Sequence, residues 1–359
     1  MVQMKTTILT AEDIRMIVKG VGLNSLMIEM INRLQLALET LDGNNTVIPV
    51  RGGFEYKNPD IGLVEWMPIL QVGEKAIIKI VGYHPSNPIL RSLPTILSTI
   101  YMLDTNSGHL IGIADATLLT ALRTGAASAV ASKVMASPHS KTIGLIGCGA
   151  QALTQLHAIS LIFDIEKVLV FDIDFSISQN FLNRAAFLKL NIEVSSIEEL
   201  VQRSDIICTA TSVEISKGPV FDDMKTKTWL HINAVGSDFP GKIEIPVSLL
   251  KRSVVCPDFL GQAIKEGECQ QLSVAEIGPD LCELVKNIKK FSEIKDQLTV
   301  FDSTGWALED HVAMEVLIDH AAKLKIGQFL EIESISNDPY NPYEFLHKSV
   351  SGDLLYAKS

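Results

Sequence analysis

The chain has 359 residues, 47% of them hydrophobic and 20% charged, with a formal net charge of −11. That length exceeds what one hydrophobic core usually serves, so two domains are expected. The acidic balance excludes a long-range grip on nucleic-acid backbones or anionic lipid, although a local basic pocket for a small carboxylate remains open.

From Thr10 to about Leu41 the pattern predicts helices: Ala11-Glu12-Asp13 starts one, and Leu26, Ile28, Ile31, Leu34 and Leu38 recur at near-helical spacing. Between Val47 and Ile113 short β-rich runs follow, at Leu63 to Trp66, Ala76 to Val81 and Thr95 to Leu103, separated by Gly, Pro and Asn. A helix of small residues runs from Leu118 to Met135, and the polar link Pro138-His139-Ser140-Lys141 comes after it. Beyond this point strands and helices alternate. Strands are predicted at Thr142 to Ile146, Lys167 to Phe171, Ile192 to Val194, Asp205 to Ala210, Thr228 to Ala234, Ser253 to Val255 and Leu298 to Phe301. Such alternation specifies parallel βαβ units and a doubly wound sheet. A last helix is expected from Leu308 to about Leu324, packed back on the first domain, before a polar tail.

Cys148, Cys208, Cys256, Cys269 and Cys282 are odd in number and lack the paired spacing of a zinc site or a redox dithiol. Reduced thiols, no metal and a cytoplasmic setting are therefore expected. No stretch approaches the ~20 apolar residues of a membrane helix, and no signal-type core follows Met1-Val2-Gln3-Met4-Lys5.

The run Ile143-Gly144-Leu145-Ile146 leads directly into Gly147-Cys148-Gly149-Ala150-Gln151-Ala152. A strand, a glycine turn and a helix in this order make a dinucleotide-binding motif. The first glycine permits the tight turn, the second lets backbone approach a pyrophosphate, and the small third residue lets the helix pack close. Phosphate then sits at a helix N-terminus, where free N–H groups and the dipole favour an anion. The next strand ends in Asp172, an acceptor for ribose hydroxyls that repels a 2′-phosphate, and Ile173-Asp174-Phe175 offers no arginine. The expected cofactor is NAD, not NADP. Asp174 reads as a helix cap.

Several segments together resemble the ornithine cyclodeaminase and mu-crystallin family: Lys79-Ile80-Val81-Gly82-Tyr83-His84-Pro85, Leu119 to Thr124, the glycine turn, His231 to Lys242, and Phe301-Asp302-Ser303-Thr304-Gly305. The segment around Asp238 resembles the cyclodeaminase branch more than the reductase and crystallin branches. The resemblance implies an α/β fold, with a Rossmann doubly wound parallel sheet plus a discontinuous α+β substrate and dimerisation domain. Residues 1–118, completed by 306–359, form the latter and residues 119–305 the former. It also implies a homodimer that cyclises and deaminates L-ornithine to L-proline, with NAD borrowing and returning a hydride. Lysine cyclodeaminase, cyclic-imine reductase, amino-acid dehydrogenase and a binding protein of the mu-crystallin kind stand as alternatives.

The resemblance assigns Arg51, Lys79 and Arg123 to the substrate carboxylate, and chemistry favours guanidinium for that task. Arg123 also stands out unaided, because it interrupts an otherwise nearly uncharged helix where an unpaired charge would be costly. A buried ion pair is the alternative for it. A solvated strand face is the alternative for Lys79 and a surface loop for Arg51. Asp238 is assigned as the catalytic acid/base and Glu65 to the substrate amine, the alternatives being a turn former and an exposed strand residue. Lys242, Ser303, Val235 and Thr95 are assigned to the cofactor, beside the backbone of Gly147, Cys148, Gly149, Ala150 and Gln151. His84 is expected to orient its loop, and His231 and the Cys148 thiol to be structural.

Overall fold

A computed structural model describes residues 4–347. Two helices follow a first strand, Thr6–Leu9. Ala11–Val21 is started by a capping box in which Thr10 accepts from the Asp13 N–H while the Asp13 carboxylate accepts from the Thr10 N–H. It stops at Gly22, whose φ of 88° lies in the left-handed region, and Leu23–Thr40 continues the chain in a new direction. Leu26, Met27, Met30, Ile31, Leu34 and Leu38 form the buried stripe of that second helix.

Ala11–Val21 packs on an eight-stranded sheet built mainly from antiparallel hairpins, Gly62–Gln71, Lys75–Tyr83, Ile96–Asp104 and Leu110–Asp115, while Leu23–Thr40 packs on other helices. Thr6–Leu9 pairs parallel to Leu110–Asp115 and antiparallel to Gln328–Leu330, so segments near both chain ends close one edge. Neither of these strands was evident in sequence, because each is short and lacks a long alternating run. Alternation decides which side chains enter the core. Met67, Ile69, Ile77, Ile100 and Met102 point inward, and Lys79 lies directly opposite Met67 in the hairpin register. Lys79 is therefore on the core face, not the solvated one.

The second sheet is seven-stranded and wholly parallel. Its spatial order is Ile192–Val194, Lys167–Phe171, Thr142–Ile146, Ile206–Thr209, His231–Ala234, Thr299–Asp302 and Val254–Pro257. The order turns around between Thr142–Ile146 and Ile206–Thr209, the switch point at which open α/β sheets take ligands. The last two strands in space are exchanged relative to chain order.

Helix Thr117–Met135 lies between the two sheets and contacts elements of both. Its small residues make that position possible. Ala126, Ala127, Ala129, Val130 and Ala131 are fully buried, and a Cβ at Gly125 would meet the Thr154 carbonyl oxygen at 2.6 Å. Helix Ala307–Leu324 packs on Ala11–Val21, Leu23–Thr40 and the first sheet, as expected of the returning segment. The end of the polar tail, residues 348–359, lies outside the described residues. No helix of the described residues is long and apolar enough to cross a membrane.

Candidate active site

The glycine turn is built by backbone geometry. Gly147 has φ 86°, and a Cβ there would meet the Ala210 carbonyl oxygen at 2.7 Å, so glycine is required on two counts. Gly149 faces open space, and the helix Ala150–Ser160 that it starts has no side-chain cap. Free N–H groups at an open helix N-terminus are what a pyrophosphate needs. Asp172 follows strand Lys167–Phe171 and accepts from the N–H of Cys148 (2.8 Å) and of Asp174 (3.0 Å), which fixes its carboxylate beside the turn. Asp174 caps the next helix through Ser176, as read from sequence. The Cys148 thiol faces the Phe171 carbonyl, and burial first, then Asp172, pushes its pKa up to about 12. It is inert, and only its backbone serves the turn.

Beside the turn a cavity of about 90 Å³ is lined by Arg51, Glu65, Lys79, Arg123, Gln151, Val235, Asp238 and Ser303, together with Tyr83, Phe239 and Thr304. Eight of the residues assigned from sequence thus converge although 252 positions separate Arg51 from Ser303. Val235, Asp238 and Ser303 leave the carboxyl ends of His231–Ala234 and Thr299–Asp302, and the Ser303 N–H bonds the Ala234 carbonyl to hold the two loops together. The Ser303 hydroxyl is buried with no partner among the described residues. Lys242 stands behind the wall, donating to Asp238 at 2.8 Å and lying over the Tyr83 ring at 5.8 Å. Thr95 is not brought into the wall: its carbonyl accepts from the His84 N–H at 2.8 Å, and it is Ile96 that faces the cavity. A larger cleft of about 250 Å³, lined in part by Leu41, Phe259 and Trp306, contains none of the assigned residues.

The cavity has two electrostatic ends. At one, Lys79 and Arg123 meet helix Ala307–Leu324. Lys79 Nζ donates to Asp310 Oδ1 at 2.7 Å, Arg123 Nη1 donates to Glu309, and Arg123 Nε lies 3.2 Å from Asp310 Oδ1. The buried ion pair weighed for Arg123 is present, yet the same guanidinium also lines the cavity. Gly305 makes room for it, since a Cβ there would collide with the guanidinium. Burial, then the neighbouring Arg123, lowers the Lys79 pKa to about 8.

At the other end Arg51 stands among carboxylates. Its Nε donates to Glu266 at 2.6 Å, its Nη2 to the Asp238 carbonyl at 3.2 Å, and Glu65 lies 3.5 Å away. Arg51 precedes a strand in a loop, as expected, but its side chain is only 9% exposed and is no surface charge. Glu65, at 14%, is likewise turned inward. Burial raises the Glu65 pKa, and burial, opposed by Arg51, pushes Glu266 up to about 7. The supporting residues behave as read: His84 Nε2 is 2.7 Å from the Tyr56 hydroxyl, and His231 bonds Thr299 and Asn233 within the sheet. Burial drives the His231 pKa down to about 3, which leaves it neutral.

Sequence reasoning missed Glu266, Glu309 and Asp310. The last two carried the signal that exposed Arg123: they interrupt an apolar helical run, Ala307-Leu308 before and Val312-Ala313-Met314 after. Glu266, within Lys265-Glu266-Gly267-Glu268, carried none.

The model of the ornithine cyclodeaminase/mu-crystallin family matches residues 12–325. The chain is 39% identical to the L-lysine cyclodeaminase of Streptomyces rapamycinicus over 341 residues, 95% of this chain and 99% of that protein. A solved lysine cyclodeaminase, described for its recognition of L-lysine, L-ornithine and L-2,4-diaminobutyric acid, superposes with a TM-score of 0.92 at 44% identity over 95% of this chain and all of that one. An archaeal alanine dehydrogenase dimer with bound NAD gives a TM-score of 0.82 at 30% identity, over 92% of this chain and all of that one. With the family model spanning the whole parallel sheet, the hairpins of the first sheet and every wall of the cavity, the chain belongs to the ornithine cyclodeaminase/mu-crystallin family.

Proposed function

We propose that the chain is a NAD-dependent cyclodeaminase that converts a linear α,ω-diamino acid into a cyclic imino acid and ammonia. The observation that carries this reading is a single cavity with a cationic end, Lys79 and Arg123, and an acidic end, Glu65 and Asp238, beside a dinucleotide-binding turn. A monoamino acid would leave the two carboxylates without a substrate partner; a diamino acid supplies one. L-lysine, giving L-pipecolate, is placed first on the strength of the full-length likeness to lysine cyclodeaminases. L-ornithine, giving L-proline, is placed second, because the solved relative is described as recognising both.

The residues present fit NAD. The open turn at Gly149, the uncapped helix and the Asp172 carboxylate suit its pyrophosphate and ribose, and Val235, Gln151 and the unpartnered Ser303 hydroxyl border the space beyond. When bound, NAD supplies a hydride acceptor at Cα and later returns the hydride, so the net reaction is redox-neutral. Lys79 and Arg123 hold the α-carboxylate, while Arg51, at the acidic end, keeps Glu65 and Glu266 aligned. Glu65 and Asp238 attract the distal ammonium. Asp238, 32% exposed and paired with Lys242, takes a proton from that ammonium, so that the freed amine can attack the oxidised Cα and expel ammonia. Holding both ends of the chain brings the amine to Cα, the larger part of the advantage of an intramolecular step.

The same reading divides the chain into a nucleotide domain, 119–305, and a substrate and dimerisation domain, 1–118 with 306–359. A homodimer is supported by the uncovered face of the first sheet, where Phe54, Trp66, Ile80 and Leu97 are exposed. The five free cysteines suit a reducing, cytoplasmic setting. The test is incubation with L-lysine or L-ornithine and substoichiometric NAD, following ammonia and cyclic product together. Several turnovers per NAD without NADH accumulation are expected, and one NADH per ammonia would make the protein a dehydrogenase instead.

A further inference from the structure

The cationic end of the cavity holds more negative charge than it can keep once an amino acid binds. Lys79 comes from strand Lys75–Tyr83, Arg123 from helix Thr117–Met135, Asp258 from the loop after Val254–Pro257, and Glu309 and Asp310 from helix Ala307–Leu324. All five are buried. Two cations against three carboxylates give a net charge of −1 if all ionise, and a substrate carboxylate would make it −2. A dry interior resists that, so one of the three carboxylates must hold a proton while the substrate is bound.

Hydrogen bonding indicates where it goes. Asp258 accepts from the N–H groups of Phe259 and Gly305, both at 2.6 Å, and from the Thr304 hydroxyl at 3.0 Å, three bonds that favour its ionised form. Asp310 Oδ1 faces both cations, Lys79 at 2.7 Å and Arg123 at 3.2 Å. Glu309 Oε1 and Asp310 Oδ2 are both buried without a partner among the described residues, but Glu309 faces Arg123 alone where Asp310 faces two cations. Of the three, Glu309 gains least from being charged.

We propose that Glu309 is a positioning residue that sets the charge of the carboxylate subsite, holding a proton while an amino-acid carboxylate is bound at Lys79 and Arg123 and competing for Arg123 when that proton leaves. The inference rests on the proposed role of those two cations. Burial pushes the Glu309 pKa up to about 8, with Arg123 pulling it down and Asp258 and Asp310 pushing it up. As pH rises through 8 Glu309 adds a negative charge to the subsite, and Lys79, lowered to about 8 by burial and Arg123, loses a positive one beside it, so the Glu309 share is the part that a substitution at Glu309 removes.

Calorimetric titration of the full chain without NAD, so that no turnover adds heat, using L-lysine at pH 7 and pH 9, tests this. The proton linkage of a group titrating near pH 8 weakens binding by about tenfold over that interval. Glu309→Gln is expected to remove that tenfold component, and Glu309→Asp to keep a pH break. Cadaverine, a diamine without a carboxylate, provides a control on the unsubstituted protein. A wild-type loss no greater for L-lysine than for cadaverine overturns the inference, as does an unchanged pH response in a folded Glu309→Gln, and either leaves the proposed function standing. A wild type that binds neither L-lysine nor L-ornithine at pH 7 overturns both.

Discussion

The nucleotide half and the substrate half of the site are made by different means. The turn is local: Gly147, Gly149 and Asp172 lie within 26 consecutive residues, and their action depends on backbone conformation and one carboxylate held by two N–H groups. The substrate half is assembled from distant segments, and every charged group that lines its cavity already has an opposite charge beside it. A backbone-built site is ready for its ligand. A site built of mutually neutralised charges must trade partners when the ligand arrives, so its substitutions should disturb stability, pH response and turnover as well as affinity.

The largest effect should come from Asp238→Asn. An amide cannot accept the proton of the distal ammonium, and general-base contributions of this kind are worth about 10²–10⁴-fold in rate. Ammonia release at saturating substrate should fall within that range, with NAD affinity unchanged. Full turnover would remove Asp238 from the chemistry and weaken the contrast between the halves.

Arg123→Met should be felt mainly in stability. It leaves Glu309 and Asp310 buried without their guanidinium, and breaking a buried pair from one side costs about 3–5 kcal/mol. If Glu309 already holds a proton, the loss falls at the low end of that range. Urea unfolding midpoints measure it.

Glu266 sharpens the comparison through pH. Its folded pKa of about 7 stands above the ordinary 4.5, so the folded state binds the extra proton between these values. The sign follows: stability linked to this group is present below about pH 4.5 and is lost as pH rises through 7. Glu266→Gln, which cannot ionise, should gain stability relative to the parent between pH 5 and pH 8, on the order of 1–3 kcal/mol at about 1.4 kcal/mol per pK unit. A constant difference across that interval would mean that Arg51 fully compensates the carboxylate.

The same contrast explains what the sequence could tell. The parallel sheet and its turn were legible because a βαβ unit writes period, turn glycine and acidic strand end in consecutive residues. The cations Arg51, Lys79 and Arg123 were found through resemblance and, for Arg123, through the cost of a charge in an apolar helix. Their partners were not found, since nothing near Lys79 in sequence points to Asp310, 231 positions on. Only the register that turns Lys79 inward and the helix that returns after residue 306 bring them together. Strand Thr6–Leu9 and the edge strand Gln328–Leu330 that pairs with it were hidden for a related reason, because pairing between segments so far apart in sequence leaves no local signature.

Asp172→Asn should give the smallest effect and the most specific one. The sequence offers no arginine immediately after Asp172, yet helix Phe175–Arg184 carries one back: Arg184 Nη2 donates to the Cys148 carbonyl at 2.7 Å, within the turn itself. A cation suited to a 2′-phosphate therefore stands near the carboxylate that repels one. Replacing the carboxylate by an amide keeps one acceptor for a ribose hydroxyl and removes the repulsion. Exchanging a charge-assisted bond, worth about 1.5–3 kcal/mol, for a neutral one, worth about 0.5–1.5 kcal/mol, costs about 1 kcal/mol, so NAD affinity should fall by about tenfold or less. NADP affinity should rise, because Arg184 is then unopposed. Fluorescence titration with NADH and NADPH reads both changes. A fall in NAD affinity without a gain for NADP would mean that Arg184 is committed to the turn and that Asp172 selects its cofactor by hydrogen bonding alone.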